Sequence, residues 1–179
     1  ASPDPDLALV HLLRYEESAR ADGGETVAGM APDWLERLAL LSGFSPFLSS
    51  LLIRFPHWAG WLRTEAGIEH ARSPADVEAV LAGVLQETDD PRARRLALLR
   101  ASRRELLRLG ARRIFDLSDE STMAAELSDL AAATLRIALA EVMRGLVDRF
   151  GRPYEEASDG TLARRHTARF AVIAMGKLG

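Results

Sequence analysis

Three groups of residues are the candidates for chemistry, and two of them have types and spacings that could do it. The first is the terminal "GKLG", Gly176 to Gly179, which follows the apolar run "RFAVIAM". A strand that runs into a glycine turn lets backbone N–H groups approach a phosphate closely. The pattern is not a Walker P-loop, because Lys177 is followed by Leu178 and not by serine or threonine, and it is not the dinucleotide fingerprint. Read locally, an ordinary strand-end turn is the default, and approach to a phosphate by the backbone of Gly176, Lys177 and Gly179 is the functional reading.

The second group is a run of nine arginines between Arg92 and Arg113. Within it Arg100, Arg103, Arg104 and Arg108 follow helical spacing and form one basic ridge, opposite Leu98, Leu99, Leu106 and Leu109. Such a ridge could meet phosphates or an acidic partner surface. The plainer reading is a solvated face paired with Glu105 and with carboxylates of neighbouring helices, and the acidic balance of the chain favours it.

The third group, the remaining ionisable residues, is poor in chemistry. His11, His57, His70 and His166 have no metal-ligand spacing with one another, and His11 sits near an apolar helix face, as a packed histidine would. Glu16-Glu17, Asp89-Asp90 and Glu155-Glu156 are sequence neighbours, which point apart on a helix, so none makes an acid–base pair. Trp34, Trp58 and Trp61 read as apolar anchors of a helical core.

The elements that must position these residues are nearly all helical. Proline with a preceding serine, aspartate or alanine marks helix starts at Pro32, Pro46, Pro74 and Pro91, where the missing N–H has no intrahelical partner anyway. A first helix covers "DLALVHLLRYEESARA", and Pro56 separates "FLSSLLIRF" from "HWAGWLRTEAG". Ser73 with Asp76 suggests a capped start, and the helix that follows runs to about Glu87. The last helix is the longest, from about Ser121 to Phe150, with Gly151 as its stop. Along it Leu135, Leu139, Val142, Leu146 and Phe150 form one apolar stripe, while Met123, Leu127 and Leu130 begin a second. Ala131-Ala132-Ala133 leaves room for another backbone to come close.

The expected fold is therefore mainly α, a multi-helix bundle over 1–151. A connector over 152–168 follows, and 169–179 form the first strand and glycine turn of an incomplete α/β domain. A lone strand cannot persist by itself. Its partners are expected beyond Gly179 or in another chain.

Composition narrows the function classes. With 179 residues, 47% apolar and 27% charged, the chain can bury a sizeable core. A net charge of −3 gives no global field toward nucleic acid or anionic lipid. The absence of cysteine excludes disulfides, thiolate metal sites and cysteine nucleophiles. No apolar run approaches the roughly 20 residues that span a bilayer, and "ASPDPD" is not a signal peptide. A cytoplasmic protein with no nucleic-acid or membrane partner is the expectation.

Four stretches together resemble the glutamine synthetase (glutamate–ammonia-ligase) adenylyltransferase family: "SGFSPFLSSLLIRFPHWAGWL" (42–62), "LRASRRELLRLGARRIFDL" (99–117), "ELSDLAAATLRIAL" (126–139) and "FAVIAMGKLG" (170–179). They stand in the family's order. The resemblance implies a nucleotidyltransferase related to DNA polymerase β, in which two aspartates just after the glycine turn bind Mg²⁺ and the glycines cradle ATP or ADP. It places Gly176, Lys177 and Gly179 at the start of that turn, while the second glycine of the pair and both aspartates match nothing in this sequence.

By the same resemblance, family enzymes attach AMP to a tyrosine of glutamine synthetase in one domain and remove it by phosphorolysis in the other. "LRASRRELLRL" is closer to the adenylyl-removing half. A mild departure is Ala174, where family segments usually have glycine, and the match before Leu41 is vague. The implied function is thus that of a fragment of a bifunctional enzyme regulating glutamine synthetase, with the fragment alone inactive. The alternative is a non-catalytic helical module that docks glutamine synthetase or a nitrogen-status signalling protein, with Arg100, Arg103, Arg104 and Arg108 as contacts.

Overall fold

A computed structural model describes residues 3–64, 67–156, 162–167 and 170–172. Among them are seven α-helices: α1 Pro5–Asp22, α2 Pro32–Phe44, α3 Pro46–Arg54, α4 His57–Thr64, α5 Pro74–Gly83, α6 Pro91–Ile114 and α7 Glu120–Phe150. The fold is a mainly α bundle.

Most helices start where the sequence offers a proline with its fixed φ, a capping oxygen, or both. Asp4 accepts from Leu7 N at 2.9 Å, Ser45 from Leu48 N at 3.2 Å, Asp90 from Ala93 N at 2.8 Å and Asp119 from Thr122 N at 2.7 Å. Ser73 and Asp76 make a reciprocal capping box at the head of α5. By contrast α2, after Ala31, relies on Pro32 without a side-chain cap. Gly23, at φ 69°, ends α1 in the left-handed conformation that glycine adopts without steric cost. α5 stops at Gly83, four residues before the expected end, and the chain continues to Glu87 as a tighter 3₁₀ turn.

Two apolar clusters share α6 as a common wall. The first gathers Tyr15, Trp34, Leu38, Leu41, Leu51, Trp58 and Leu62 from α1–α4, together with Leu107 and Ala111 of α6. The second joins Val77 and Leu81 of α5, Leu85, then Leu98, Ala101 and Leu109 of α6, then Leu130, Ala133 and Ile137 of α7. One long helix with apolar residues on two faces thus divides the core. Where α3 crosses α6, Gly110 makes room: a Cβ there would collide with Leu48 Cδ1 and sit 3.2 Å from its Cδ2.

α6 and α7 run antiparallel, as Arg112 meets Glu126, Ser102 meets Thr134 and Arg94 meets Glu141. α7 outlasts its partner, since α6 begins at Pro91, close to the Glu141 level. The apolar stripe read from the sequence falls on this overhang and on the outward face. Leu135, Val142, Leu146 and Phe150 are exposed, whereas Leu130 of the second stripe is buried with Ala133 and Ile137, and Leu127 packs against them. The correction has a simple cause: several stripes satisfy helical spacing along 31 residues, and the position of α5 and α6 selects one.

After Gly151 the chain forms a two-stranded antiparallel ribbon, β1 Tyr154–Glu156 and β2 Leu162–Thr167, in the stretch read as a connector. Tyr154 pairs with Thr167, Glu155 with Ala163 and Glu156 with Leu162, so the register shifts between Tyr154 and Glu155. Of the strand expected near the end, Phe170, Ala171 and Val172 are described, with no regular secondary structure and no pairing to a described strand. The remainder, with Gly176, Lys177 and Gly179, lies outside the described residues. No helix among the described residues is long and apolar enough to cross a membrane.

Candidate functional site on the arginine-rich helix

The chemistry-bearing residues that the structure does describe converge on α6. Its arginines do not form one ridge: the helix sorts them by depth. Arg108 is the largest fully buried side chain among the described residues. A buried guanidinium must be neutralised and fully hydrogen-bonded to be tolerated, and Arg108 has carboxylate partners on two sides. Its Nε donates to Glu105 Oε2 at 2.8 Å and its Nη2 to Glu126 Oε1 at 2.9 Å.

The pairing continues on both sides. Arg112 bonds Glu126 Oε2 through Nη1 and donates from Nε to the Ile68 carbonyl at 2.9 Å. Arg72, just before α5, reaches Glu105 with its guanidinium, and its backbone N–H donates to Glu126 Oε1 at 3.2 Å. Three arginines and two glutamates thus tie α6, α7 and the segment between α4 and α5 into one buried network. Arg108 is consequently removed from the expected partner-contacting ridge, and Glu105 is a buried partner, not a surface one. Sequence reasoning pairs Glu105 with the ridge but misses Glu126 and Arg72. The available signal is a glutamate early in a long, otherwise apolar-faced helix, opposite arginines four apart.

Nearer the surface, Arg104 is half-buried and lays its guanidinium carbon 4.7 Å from the Trp61 ring centroid, a cation–π contact. Arg103 is half-buried and Arg100 exposed. Arg100, Arg103 and Arg104 make no ion pair among the described residues, whereas Arg94, Arg108, Arg112 and Arg113 all do. The ridge as read therefore divides into one structural cation and three available ones.

The other sequence candidates are structural. His11 is buried, and its Nδ1 lies 2.8 Å from the Ser42 carbonyl; because a carbonyl only accepts, Nδ1 carries the proton. Trp34 and Trp58 are core anchors, and Phe55 stacks on Trp58 at 4.3 Å between centroids. Tyr15 is buried between Glu25 and Pro56, donating to the Glu25 carbonyl at 2.8 Å, and desolvation with the nearby Glu25 and Glu16 charges pushes its phenol up to about 12. Bonds from Ser73 and Thr122 hold Asp76 and Asp119 below the usual carboxylate range. Among the described residues no three histidine, aspartate or glutamate side chains converge on a point that could hold a metal ion.

Comparison with known proteins gives the chain its family. The family model described as Glutamate-ammonia ligase adenylyltransferase matches residues 35–179. The chain is 36% identical to a bifunctional glutamine synthetase adenylyltransferase/adenylyl-removing enzyme of Streptomyces avermitilis and 37% identical to that of Streptomyces coelicolor, in each case over all of this chain and 16% of the relative. The enzyme of the same name from Thioalkalivibrio sulfidiphilus is 32% identical over 98% of the chain and 17% of its own length. No solved structure matches. The chain thus spans about a sixth of the length of the curated relatives it matches. It belongs to the glutamate–ammonia ligase adenylyltransferase family.

Proposed function

We propose that these helices are the support of a nucleotidyltransferase domain in a bifunctional glutamine synthetase adenylyltransferase/adenylyl-removing enzyme. In that intact enzyme AMP is transferred from ATP to a tyrosine of glutamine synthetase, or removed by phosphorolysis. The observation that carries this reading is the match of the whole chain to a corresponding portion of enzymes bearing that name. Gly176, Lys177 and Gly179 would open the turn that cradles the nucleotide phosphates. Mg²⁺ would be held by carboxylates that this sequence does not supply.

In this reading the buried arginine–glutamate network gives the bundle one fixed arrangement, so that the segment after α7 leaves from a defined position. Incubating glutamine synthetase with ATP and Mg²⁺, and its adenylylated form with phosphate, tests the assignment. Activity is expected from the intact enzyme and none from the 179 residues alone. Metal-dependent transfer or phosphorolysis by the 179-residue chain would overturn it.

A second reading is favoured by the unpaired cations of α6: the bundle docks glutamine synthetase or a nitrogen-status signalling protein through Arg100, Arg103 and Arg104. Pull-down with each protein should then fail for Arg103→Glu/Arg104→Glu. Equal capture of variant and wild type removes these arginines as docking residues.

A further inference from the structure

Where the two apolar clusters part, a cleft of about 380 Å³ opens over the middle of α6. Its floor is Ala97 and Ala101, one turn apart, whose small side chains keep the helix surface low. The α3–α4 corner makes one wall, with Phe55, His57 and Trp58, and Val84 with Glu87 of the 3₁₀ turn makes the other. Arg100 and Arg104, also one turn apart, stand beside the alanines and face the same space. A volume of this size lies toward the low end of small-molecule sites, which run from about 300 to 1,000 Å³.

The electrostatics of the cleft are unbalanced. Arg100 and Arg104 make no hydrogen bond or ion pair among the described residues, although Glu87 lines the same cavity. The Nε of Arg104 is buried with no hydrogen-bond partner, its guanidinium resting on Trp61. A third guanidinium, from Arg54, lies 5.6 Å over the Phe55 ring at the corner. Among the other arginines of α6, Arg94 is held by Glu141 and by two carbonyls, and Arg108 and Arg112 by carboxylates, while Arg103 makes no ion pair among the described residues. Unneutralised guanidinium groups on the wall of a cavity with aromatic sides are the arrangement that accepts an oxyanion, since the fork of N–H donors matches carboxylate and phosphate oxygens.

We propose that this cleft is a binding site for a small ligand that carries a carboxylate or phosphate on an apolar body. The oxyanion sits between Arg100 and Arg104, and the body lies against Phe55, Trp58 and Val84. The site joins residues of both clusters, so an occupant would brace the α3–α4 corner against the α5–α6 connection.

Calorimetric titration of the chain with inorganic phosphate, glutarate and AMP, followed in parallel by tryptophan fluorescence, tests the site. Phosphate and glutarate separate the two oxyanions, and AMP adds an aromatic body to the first. Saturable binding of at least one probe is expected, weakened about tenfold or more by Arg100→Gln and by Arg104→Gln. It should be unchanged by Arg144→Gln, an exposed arginine on α7 outside the cleft. If Arg104→Gln loosens α4 by uncovering Trp61, as circular dichroism would report, Arg100→Gln decides, because the exposed Arg100 has no described contact to lose. Absence of saturation by all three probes at millimolar concentration overturns the proposal. So does wild-type affinity in Arg100→Gln, or an equal loss in Arg144→Gln, which would mark attraction to surface charge in general.

Discussion

Arg108 Nη2 lies 2.9 Å from Glu126 Oε1, and both side chains are buried, on α6 and α7 respectively. Glu126 also holds Arg112 with its second oxygen, so one carboxylate bridges two buried guanidinium groups, and Glu105 supplies the second negative charge beside Arg108. Such an arrangement costs desolvation on every member, and its contribution shows when one member is removed and its partners are left charged and dry.

Glu126→Leu should destabilise the chain by about 3–5 kcal/mol, because it leaves the buried Arg112 with no carboxylate and Arg108 with Glu105 alone. Urea unfolding gives the value. Arg108→Met made on the Glu126→Leu background should recover part of the loss. Strict additivity of the two changes would mean that the pair does not interact.

Gly110→Ala should lower stability even though alanine is the better helix former by about 1 kcal/mol. The new Cβ meets the buried Leu48 side chain at the α3–α6 crossing. Paired with Leu48→Ala, the glycine change should turn neutral or favourable. Thermal denaturation of the two single variants and the double variant reads the coupling.

Leu146→Gln and Phe150→Ser should leave stability within about 0.5 kcal/mol of wild type, because both side chains are exposed on the overhang of α7. Ile137→Ala, on the buried face of the same helix, should cost about 2–4 kcal/mol. Equal losses at all three positions would contradict the assignment of the buried stripe.

Acid should release the α5 and α7 starts. Asp76 and Asp119 have pKa values below the ordinary 3.8, so their capping contributions are complete above that pH and disappear as pH falls through the lowered values. Ser73→Ala, which removes the capping partner of Asp76, should cost about 1 kcal/mol near neutrality. It should also flatten the acid limb of a stability–pH curve measured by urea titration.

At the alkaline end Tyr15 has the opposite sign. Its phenol is raised from 10.0 to about 12, so the neutral form favours the fold fully below pH 10, and that contribution is lost as pH rises toward 12. Phenolate absorbance in the folded chain should therefore show one tyrosine titrating late, and Tyr15→Phe should abolish that late step.

Much of the helix plan is legible in the residues themselves. Pro32, Pro46, Pro74 and Pro91 each open a helix, the Ser73–Asp76 box forms, and Gly151 ends α7. These signals are local: a proline ring fixes φ, and a capping oxygen reaches a backbone N–H only three residues away. The family, too, can be read from short stretches spread along the chain, and the match over 35–179 bears that out.

The fate of each face is not legible in the same way. Arg108 and Arg100 lie on one ridge by spacing, yet one is sealed in the core and the other is in water. Leu107 belongs to one cluster and Leu109 to the other, two residues apart on the same helix. Where helices begin and stop follows from the order of residues, because those rules act within one turn. That α6 has core on two sides, that Glu126 is the carboxylate opposite Arg108, and that α7 overruns its neighbours follow from how the helices assemble. Burial of a charge or an apolar stripe depends on which distant element arrives beside it, and helical periodicity holds no information about that neighbour.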